Sequence, residues 1–240
     1  RQQAEKFGAR IENSDIERVD FSGGTKRLFA AGGKVYEARK VIIATGSSPR
    51  LTGAKGEAEL YGGRGVSTCA TCDGAFYRGA DVVVVGGGDT ACEEALFLSK
   101  FCASVKIIHR RDSFRASKIM ADRVAANPKI SVLWDSVVVE VKAGADGKCS
   151  AVVVENAKTG GRAEVPCRCM FAAIGHTPNT AAFVGAVETD SEGYIVARGA
   201  SGVETDVENV YVAGDCADKI FRQAITAVSS GCKAAIMATS

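Results

Sequence analysis

Two cysteines separated by two residues are the feature of this sequence with the most direct chemical meaning. The motif is Cys69-Ala70-Thr71-Cys72, and Asp73 follows it directly. Thiols at this spacing form and break a disulfide, and such motifs lower a thiol pKa from ~8.5 toward ~7 or below. A neighbouring carboxyl group can donate or accept the proton that thiol exchange moves. The motif therefore predicts a redox dithiol with Asp73 as its acid–base group.

Two other interpretations of the cysteine pair stay open. A zinc site needs four ligands, but the chain has only two histidines, His109 and His176. Cys167 and Cys169 have the wrong spacing for a zinc knuckle. The paired cysteines could also be inert and buried. We favour the redox pair and predict no metal site, and the sequence gives no supported role to Cys149, Cys167 or Cys169.

The second motif is a glycine-rich turn between an apolar run at residues 82–85 and a helical stretch at residues 92–100. The turn reads Gly86-Gly87-Gly88-Asp89-Thr90-Ala91. In this G-x-G-x-x-A pattern, Gly86 allows the tight turn, Gly88 lets the backbone approach a pyrophosphate and Ala91 permits close helix packing. The N–H groups of the helix N-terminus then bind the phosphates. The motif predicts a dinucleotide site, with a glycine-rich turn that binds no ligand as the alternative.

A basic cluster follows the next predicted strand, at residues 104–108. It contains His109, Arg110, Arg111 and Arg115. His109 lies about 20 residues after the turn, where an NAD-binding domain places an acidic residue on the ribose 2′-hydroxyl. No acid occupies that place, and guanidinium groups match a phosphate bidentately. The cluster therefore predicts a 2′-phosphate and NADPH rather than NADH, with a solvated basic loop as the alternative.

The two motifs together predict a flavin. A dithiol exchanges electrons with other dithiols, whereas a nicotinamide passes a hydride, and a flavin is the usual converter between them. A third strand end supports this prediction, because residues 210–212 run into Ala213-Gly214-Asp215. Asp215 can accept a hydrogen bond from a ribityl hydroxyl, although an acidic residue there is as often a helix cap.

Composition sets the class of protein that must position these groups. The chain has 240 residues, of which 46% are apolar and 24% charged, so it is globular rather than disordered. Its net charge of +2 gives no general attraction to nucleic acid or to anionic membranes. Its apolar runs are much shorter than the roughly 20 residues of a membrane span. We expect neither kind of partner.

The remaining cysteines indicate the compartment. Cys92, Cys102, Cys216 and Cys232 lie singly in apolar or helical stretches, so we predict that they are core residues in a reducing intracellular compartment. The cytoplasm is favoured, with chloroplast and mitochondrion as alternatives.

The assembled motifs resemble one family, the low-molecular-weight NADPH-dependent thioredoxin reductases of bacteria, fungi and plants. Besides the cysteine motif, the glycine-rich turn and the basic cluster, the resemblance rests on Ala44-Thr45-Gly46, on Gly175-His176-Thr177-Pro178-Asn179, and on Ala213–Asp215 with Arg222-Gln223-Ala224. These motifs span nearly the whole chain in family order. Residues 114–120 and 126–130 look most like plant or algal members.

The resemblance implies an α/β fold with two Rossmann-like, three-layer nucleotide-binding domains. Residues 51–177 would form the NADPH domain, which carries the dithiol, inserted into an FAD domain made of residues 1–50 and 178–240. The FAD contacts would be Thr45, Gly46, Asp215, Arg222, Gln223 and Ala224. The NADPH contacts would be Gly86, Gly87, Gly88, Asp89, Thr90, Ala91, His109, Arg110, Arg111, Arg115 and Gly175.

The resemblance also implies the roles of the redox groups. Cys72 would face the flavin, Cys69 would attack thioredoxin, and Asp73 would move the proton. Family members are homodimers whose NADPH domain rotates against the FAD domain, and residues 47–56 and 175–179 are the expected hinges. A dithiol stacked on a flavin is closed to a protein partner, so such a rotation is physically required.

One family motif is missing. The first strand and G-x-G-x-x-G turn of the FAD domain do not occur in this sequence. We therefore expect these 240 residues to bind NADPH, to hold FAD weakly or not at all, and to belong to a longer active protein. The alternatives are a flavoprotein reductase of a peroxiredoxin system, a reductase fused to thioredoxin, and an inactive NADPH-binding fragment.

Overall fold

The computed structural model describes residues 1–239, and the chain divides into two compact units. Unit 2 is Pro49–His176, and unit 1 contains Arg1–Ser48 and the chain from Thr177 onward. Unit 2 is therefore inserted into unit 1. These boundaries lie within two residues of the expected ones, and the nucleotide assigned to each unit stays a prediction.

Fifteen strands and six α-helices make up the described chain. The strands are β1 (Ile16–Asp20), β2 (Lys26–Ala30), β3 (Val35–Ala38), β4 (Val41–Ile43), β5 (Ser47–Pro49), β6 (Val66–Ser67), β7 (Asp81–Val85), β8 (Ser104–Ile108), β9 (Ile130–Leu133), β10 (Ser136–Ala143), β11 (Cys149–Asn156), β12 (Arg162–Pro166), β13 (Cys169–Ala172), β14 (His176–Pro178) and β15 (Val210–Val212). The helices are α1 (Gln2–Lys6), α2 (Glu57–Leu60), α3 (Ala70–Asp73), α4 (Asp89–Ser99), α5 (Lys118–Ala125) and α6 (Ala224–Thr239).

Unit 2 has three layers around a parallel sheet of order β6-β13-β7-β8-β9. Its strands are rich in β-branched and other apolar residues, as expected for strands that are covered on both faces. One face packs on α4, where Leu98 is fully buried against Phe171 of β13. The other face is covered by valines of the antiparallel sheet β10-β11-β12. The unit therefore has the predicted Rossmann-like, three-layer α/β architecture.

Unit 1 contains an antiparallel sheet, β1-β2-β3, and a parallel pair, β4 and β15. The sequence of residues 34–44 predicts one continuous strand of a meander, but the structure divides this segment between two sheets. The chain leaves the first sheet after Ala38 and enters the second at Val41, which pairs with Val210. The physical reason is burial, because Val41 and Ile43 enter the core around Phe183.

The single cysteines differ in burial. Cys232 lies on helix α6 and is exposed, so its assignment to the core was wrong. Cys92, Cys102 and Cys216 are buried as expected. Within residues 1–239, no helix is both long enough and apolar enough to cross a bilayer.

A buried carboxylate fixes the segment that leads into unit 2. Glu57 is 1% exposed, and it accepts hydrogen bonds from the Thr52 and Gly53 backbone N–H groups and from the Thr52 hydroxyl at 2.8 to 3.0 Å. We expect Glu57→Ala to lower the free energy of unfolding by about 2–4 kcal/mol, because it leaves these donors without an acceptor. Urea unfolding followed by fluorescence of Trp134 measures this loss.

The matched control is Glu59→Ala on the same helix, where the carboxylate is exposed. Its free energy of unfolding should change by less than about 0.5 kcal/mol. Equal effects of the two substitutions would contradict the assigned role of Glu57.

Candidate active site

Cys69 and Cys72 form a disulfide at the start of α3, with their Cα atoms 5.3 Å apart. Cys69 follows the short strand β6 and is the N-cap of the helix, where its sulfur accepts a hydrogen bond from the Cys72 N–H at 3.2 Å. Cys69 is half-buried and Cys72 is exposed. The pair is therefore closed, and its second residue lies at the surface.

Asp73 is held beside this disulfide by Ser67. The buried Ser67 hydroxyl donates to Asp73 Oδ2 at 2.7 Å and accepts the Cys69 backbone N–H at 3.1 Å. One hydroxyl thus connects the carboxylate to the first cysteine. Sequence reasoning missed Ser67, since a serine at the end of a strand carries no signal until the fold brings Asp73 back to it.

The glycine-rich turn joins β7 to α4 in a space with almost no room for side chains. A β-carbon on Gly86 would lie 2.5 Å from the Ala173 carbonyl oxygen and 2.8 Å from the Ala91 β-carbon. A β-carbon on Gly87 would lie 2.2 Å from the ring of His109. Around Gly88, by contrast, a β-carbon would meet no described atom within 4 Å, and its backbone is in an ordinary extended conformation. Space for a ligand is therefore left at Gly88.

The ring of His109 packs against the glycine-rich turn at Gly87. Its Nε2 lies 3.0 Å from the Ser113 carbonyl oxygen, and the ring is buried beside Phe114 and Trp134. Burial, with smaller contributions from the nearby arginines, lowers the pKa of His109. The imidazole is therefore neutral at pH 7 and acts as a packing surface for Gly87.

A cavity of about 540 Å³ opens at this turn within unit 2. Eight of the residues expected to bind NADPH line it: Gly86, Gly87, Gly88, Thr90, His109, Arg110, Arg115 and Gly175. Arg50 and Thr52 also line it, although the sequence indicated only a linker there. Their place was not predictable, because the hydrogen bonds of Thr52 to Glu57 bring that segment to the cavity.

Three expected NADPH contacts lie outside this lining. Ala91 is fully buried under Gly86, and Asp89 accepts hydrogen bonds from the Ser117 N–H and hydroxyl at the start of α5. Arg111 is exposed, and its carbonyl accepts the Asp135 N–H. Ala91 and Asp89 thus shape the turn and the neighbouring helix rather than the cavity wall.

The cavity has a positive rim. Arg110 and Arg115 are exposed, and their side chains form no ion pair within residues 1–239. The Arg115 backbone N–H donates to the Gly87 carbonyl oxygen at 2.7 Å, which fixes this arginine beside the turn. The N-terminus of α4 adds backbone N–H groups, since Gly88 provides no side-chain cap. The arrangement suits an anion.

The predicted flavin residues lie at the carboxyl ends of two paired strands in unit 1. Strand β4 leads to Thr45 and Gly46, and β15 leads to Asp215. The carboxyl edge of parallel strands is the usual ligand edge of an α/β sheet. Burial raises the pKa of Asp215. Arg222 has a left-handed backbone (φ 46°) just before Gln223 and the first residue of α6, Ala224.

The dithiol and the dinucleotide turn share one edge of the unit 2 sheet. Cys69 follows the carboxyl end of β6, Gly86 follows the carboxyl end of β7, and only β13 lies between these parallel strands. Strands two places apart are separated by about 10 Å. Within residues 1–239, no group of three or more histidine, cysteine or acidic side chains is arranged to hold a metal ion.

Comparison with known proteins defines the class. Residues 2–231 match the family model of pyridine nucleotide-disulphide oxidoreductases. A thioredoxin reductase of Streptomyces coelicolor is 48% identical over 98% of this chain and 72% of its own length. Solved structures of thioredoxin reductases from Giardia duodenalis and Streptococcus pyogenes superpose on this chain with TM-scores of 0.93 and 0.91, at 38% and 40% sequence identity. They match 99% of this chain and 77% and 76% of their own chains.

The chain therefore belongs to the pyridine nucleotide-disulphide oxidoreductase family and, within it, to the thioredoxin reductases. Membership implies the use of a pyridine nucleotide and a flavin. It disfavours the peroxiredoxin-system alternative, and the likeness to plant or algal members stays a prediction.

The two inner glycines of the turn make a testable contrast. We expect Gly87→Ala to lower the free energy of unfolding by about 1–3 kcal/mol, because the methyl group would overlap the His109 ring. Gly88→Ala should change it by less than about 1 kcal/mol, since the methyl group enters open space. Urea unfolding of both variants measures the difference, and an equal loss in the two would refute the packing described for Gly87.

Proposed function

We propose that this protein is a thioredoxin-disulfide reductase. Electrons pass from NADPH through FAD to the Cys69–Cys72 disulfide and from there to oxidised thioredoxin. The observation that carries the proposal is the closed, solvent-accessible Cys69–Cys72 pair beside Asp73, in the same unit as a cavity shaped for a dinucleotide. The thioredoxin reductases among its relatives support the choice of thioredoxin as the partner.

The cavity of unit 2 fits NADPH by two criteria. The open space at Gly88 and the uncapped N-terminus of α4 suit a pyrophosphate. The unpaired guanidinium groups of Arg110 and Arg115 suit a further phosphate on the ribose. Gly175 also lines the cavity, and its carbonyl oxygen accepts the Arg50 N–H.

Unit 1 supplies groups that fit FAD. Thr45 and Gly46 form a turn whose carbonyl oxygens accept hydrogen bonds from Asn179, at 3.1 and 3.0 Å. Asp215 lies on the neighbouring strand end as a half-buried acceptor. Arg222, Gln223 and Ala224 follow at the start of α6. These residues would hold the flavin part of the molecule.

The chemistry of the dithiol follows from the residues at hand. When bound, the nicotinamide supplies a hydride and the flavin delivers its electron pair to the disulfide. Two electrons and two protons convert Cys69–Cys72 into two thiols. The Cys69 thiolate attacks the thioredoxin disulfide, Cys72 then attacks the Cys69 sulfur, and reduced thioredoxin leaves as the protein disulfide re-forms. Asp73, fixed by Ser67, gives the proton to the departing thiolate.

The exposed side chain of Phe76 supports a protein partner. Phe76 lies four residues after Cys72 and is 83% exposed. A large apolar side chain held in water beside a reactive disulfide favours a protein surface as the substrate over a small disulfide. We propose further that the protein acts as a homodimer in a reducing intracellular compartment, which suits the seven free cysteines of the structure.

The dithiol relay is tested by serine substitution in the complete natural protein. We expect Cys69→Ser and Cys72→Ser each to abolish NADPH-driven reduction of thioredoxin, while NADPH still bleaches the flavin. Thioredoxin reduction is measured with an insulin precipitation assay. Flavin bleaching without thioredoxin turnover in the unmodified protein would indicate a different disulfide partner, and no bleaching would refute the enzyme proposal.

Coenzyme choice is tested at the arginine cluster. We expect Arg115→Ala to raise the NADPH KM by roughly 10- to 100-fold, as for the loss of a charged hydrogen bond, and to leave the NADH KM almost unchanged. Arg111→Ala is the matched control, since Arg111 lies outside the cavity lining. Steady-state kinetics with both coenzymes decide the question. No change in either KM would favour a solvated basic loop, and an equal rise in both would contradict a contact of Arg115 with the 2′-phosphate.

A further inference from the structure

Two cysteines that the sequence left without a role meet in unit 2. Cys149 begins β11, and Cys167 lies between β12 and β13. Both side chains are buried, and their sulfur atoms are 3.8 Å apart. The Cys149 sulfur also lies 3.7 Å from the Cys167 carbonyl oxygen. Two thiols that face each other on adjacent antiparallel segments meet the basic geometric requirement for forming a disulfide.

The two thiols share one hydrogen bond, in which either sulfur can be the donor. Whichever thiol donates stabilises a thiolate at the other, so one sulfur can attack an oxidant while its neighbour resolves the product. The positive charge of Arg168 also favours a thiolate at this pair. For comparison, Cys92 is a buried free cysteine whose pKa burial raises to about 11.

The third cysteine of this region, Cys169, is fully buried, and burial raises the pKa of its thiol. Its sulfur therefore ionises less readily than a free thiol. The distances single out Cys149 and Cys167.

A cavity lies close to the pair, lined by residues next to both cysteines in the chain. It measures about 520 Å³ and is lined by Gly65, Lys148 and Arg168, among others. Lys148 and Arg168 are the chain neighbours of Cys149 and Cys167. A β-carbon on Gly65 would lie 2.4 Å from the Cys149 β-carbon, so Cys149 packs directly behind this lining residue.

We propose that Cys149 and Cys167 are a second redox pair, which hydrogen peroxide closes to a disulfide. One thiol of the pair ionises, and its thiolate attacks one peroxide oxygen and becomes a sulfenic acid. The other peroxide oxygen leaves as hydroxide, which takes the proton released on ionisation and becomes water. The sulfur of the second cysteine then attacks the sulfenic sulfur, and the hydroxyl group leaves with the proton of the second thiol as another water. Two thiols are oxidised to one disulfide, and one peroxide is reduced to two waters.

Cys149 is hydrogen-bonded to the segment that leads to the Cys69–Cys72 pair. The Cys149 N–H donates to the Arg64 carbonyl oxygen at 2.8 Å, immediately before the strand that ends in Ser67 and leads to Cys69. The cavity beside Cys149 is also bounded by Asp73. A new covalent bond here would brace the strand that positions the catalytic dithiol.

Peptide mapping tests the proposal on the complete protein, because trypsin places the two cysteines on separate peptides. Cleavage at Lys148, Lys158, Arg162 and Arg168 gives peptides 149–158 and 163–168, each with one cysteine and neither with Cys169. The protein is reduced, treated with hydrogen peroxide, alkylated in denaturant and digested without reductant. We expect one disulfide-linked species of these two peptides, lighter than their sum by two hydrogen atoms and absent after dithiothreitol.

The matched variants are Cys149→Ala, which should abolish the linked species, and Cys92→Ala, which should leave it unchanged. Recovery of both peptides only in alkylated or over-oxidised form would overturn the proposal, as would linkage of either to the peptide that begins at Cys169. The readout is a peptide mass rather than turnover, so its outcome is independent of thioredoxin reduction. Peptide mapping of the unmodified protein gives an answer even if a variant fails to fold.

Discussion

The structure of unit 2 depends on close packing of the backbone at Gly86 and Gly87, where there is no room for a β-carbon. Gly86 is wedged between the Ala173 carbonyl group and Ala91, and Gly87 lies against the ring of His109. This close approach brings β7, β13 and the start of α4 together, and it turns the N–H groups of that helix toward open space at Gly88. The dinucleotide cavity is the result, because a helix N-terminus near unfilled space is an anion site.

Parallel strand pairing then relates the two redox motifs. Strands β6 and β7 both pair with β13, so the dithiol and the dinucleotide turn emerge at the same edge of one sheet. Parallel strands place all their carboxyl ends at one edge, and this is where α/β proteins bind ligands. Unit 1, into which unit 2 is inserted, has its own pair of parallel strands, β4 and β15. The chain after the carboxyl ends of these strands carries the residues predicted to bind the flavin.

Buried polar groups determine the fine positions of the functional residues. Glu57 brings Thr52 to the cavity, and Ser67 holds Asp73 beside Cys69. Each of these groups is almost wholly buried and bonded to backbone or side-chain partners. Unsatisfied donors and acceptors are costly in a protein interior, so such contacts fix loop conformations more strictly than apolar packing alone.

The sequence by itself determined the motifs, because their chemistry depends on local spacing. The cysteine pair, the glycine-rich turn and the arginine cluster identified the family, and the β-branched run before the turn identified its strand. Only the tertiary structure decided contacts between distant segments. It placed Arg50 and Thr52 at the cavity, turned Asp89 toward Ser117, divided residues 34–44 between two sheets and brought Cys149 to Cys167. The reason is physical: these positions follow from burial and long-range hydrogen bonding, which a local pattern does not encode.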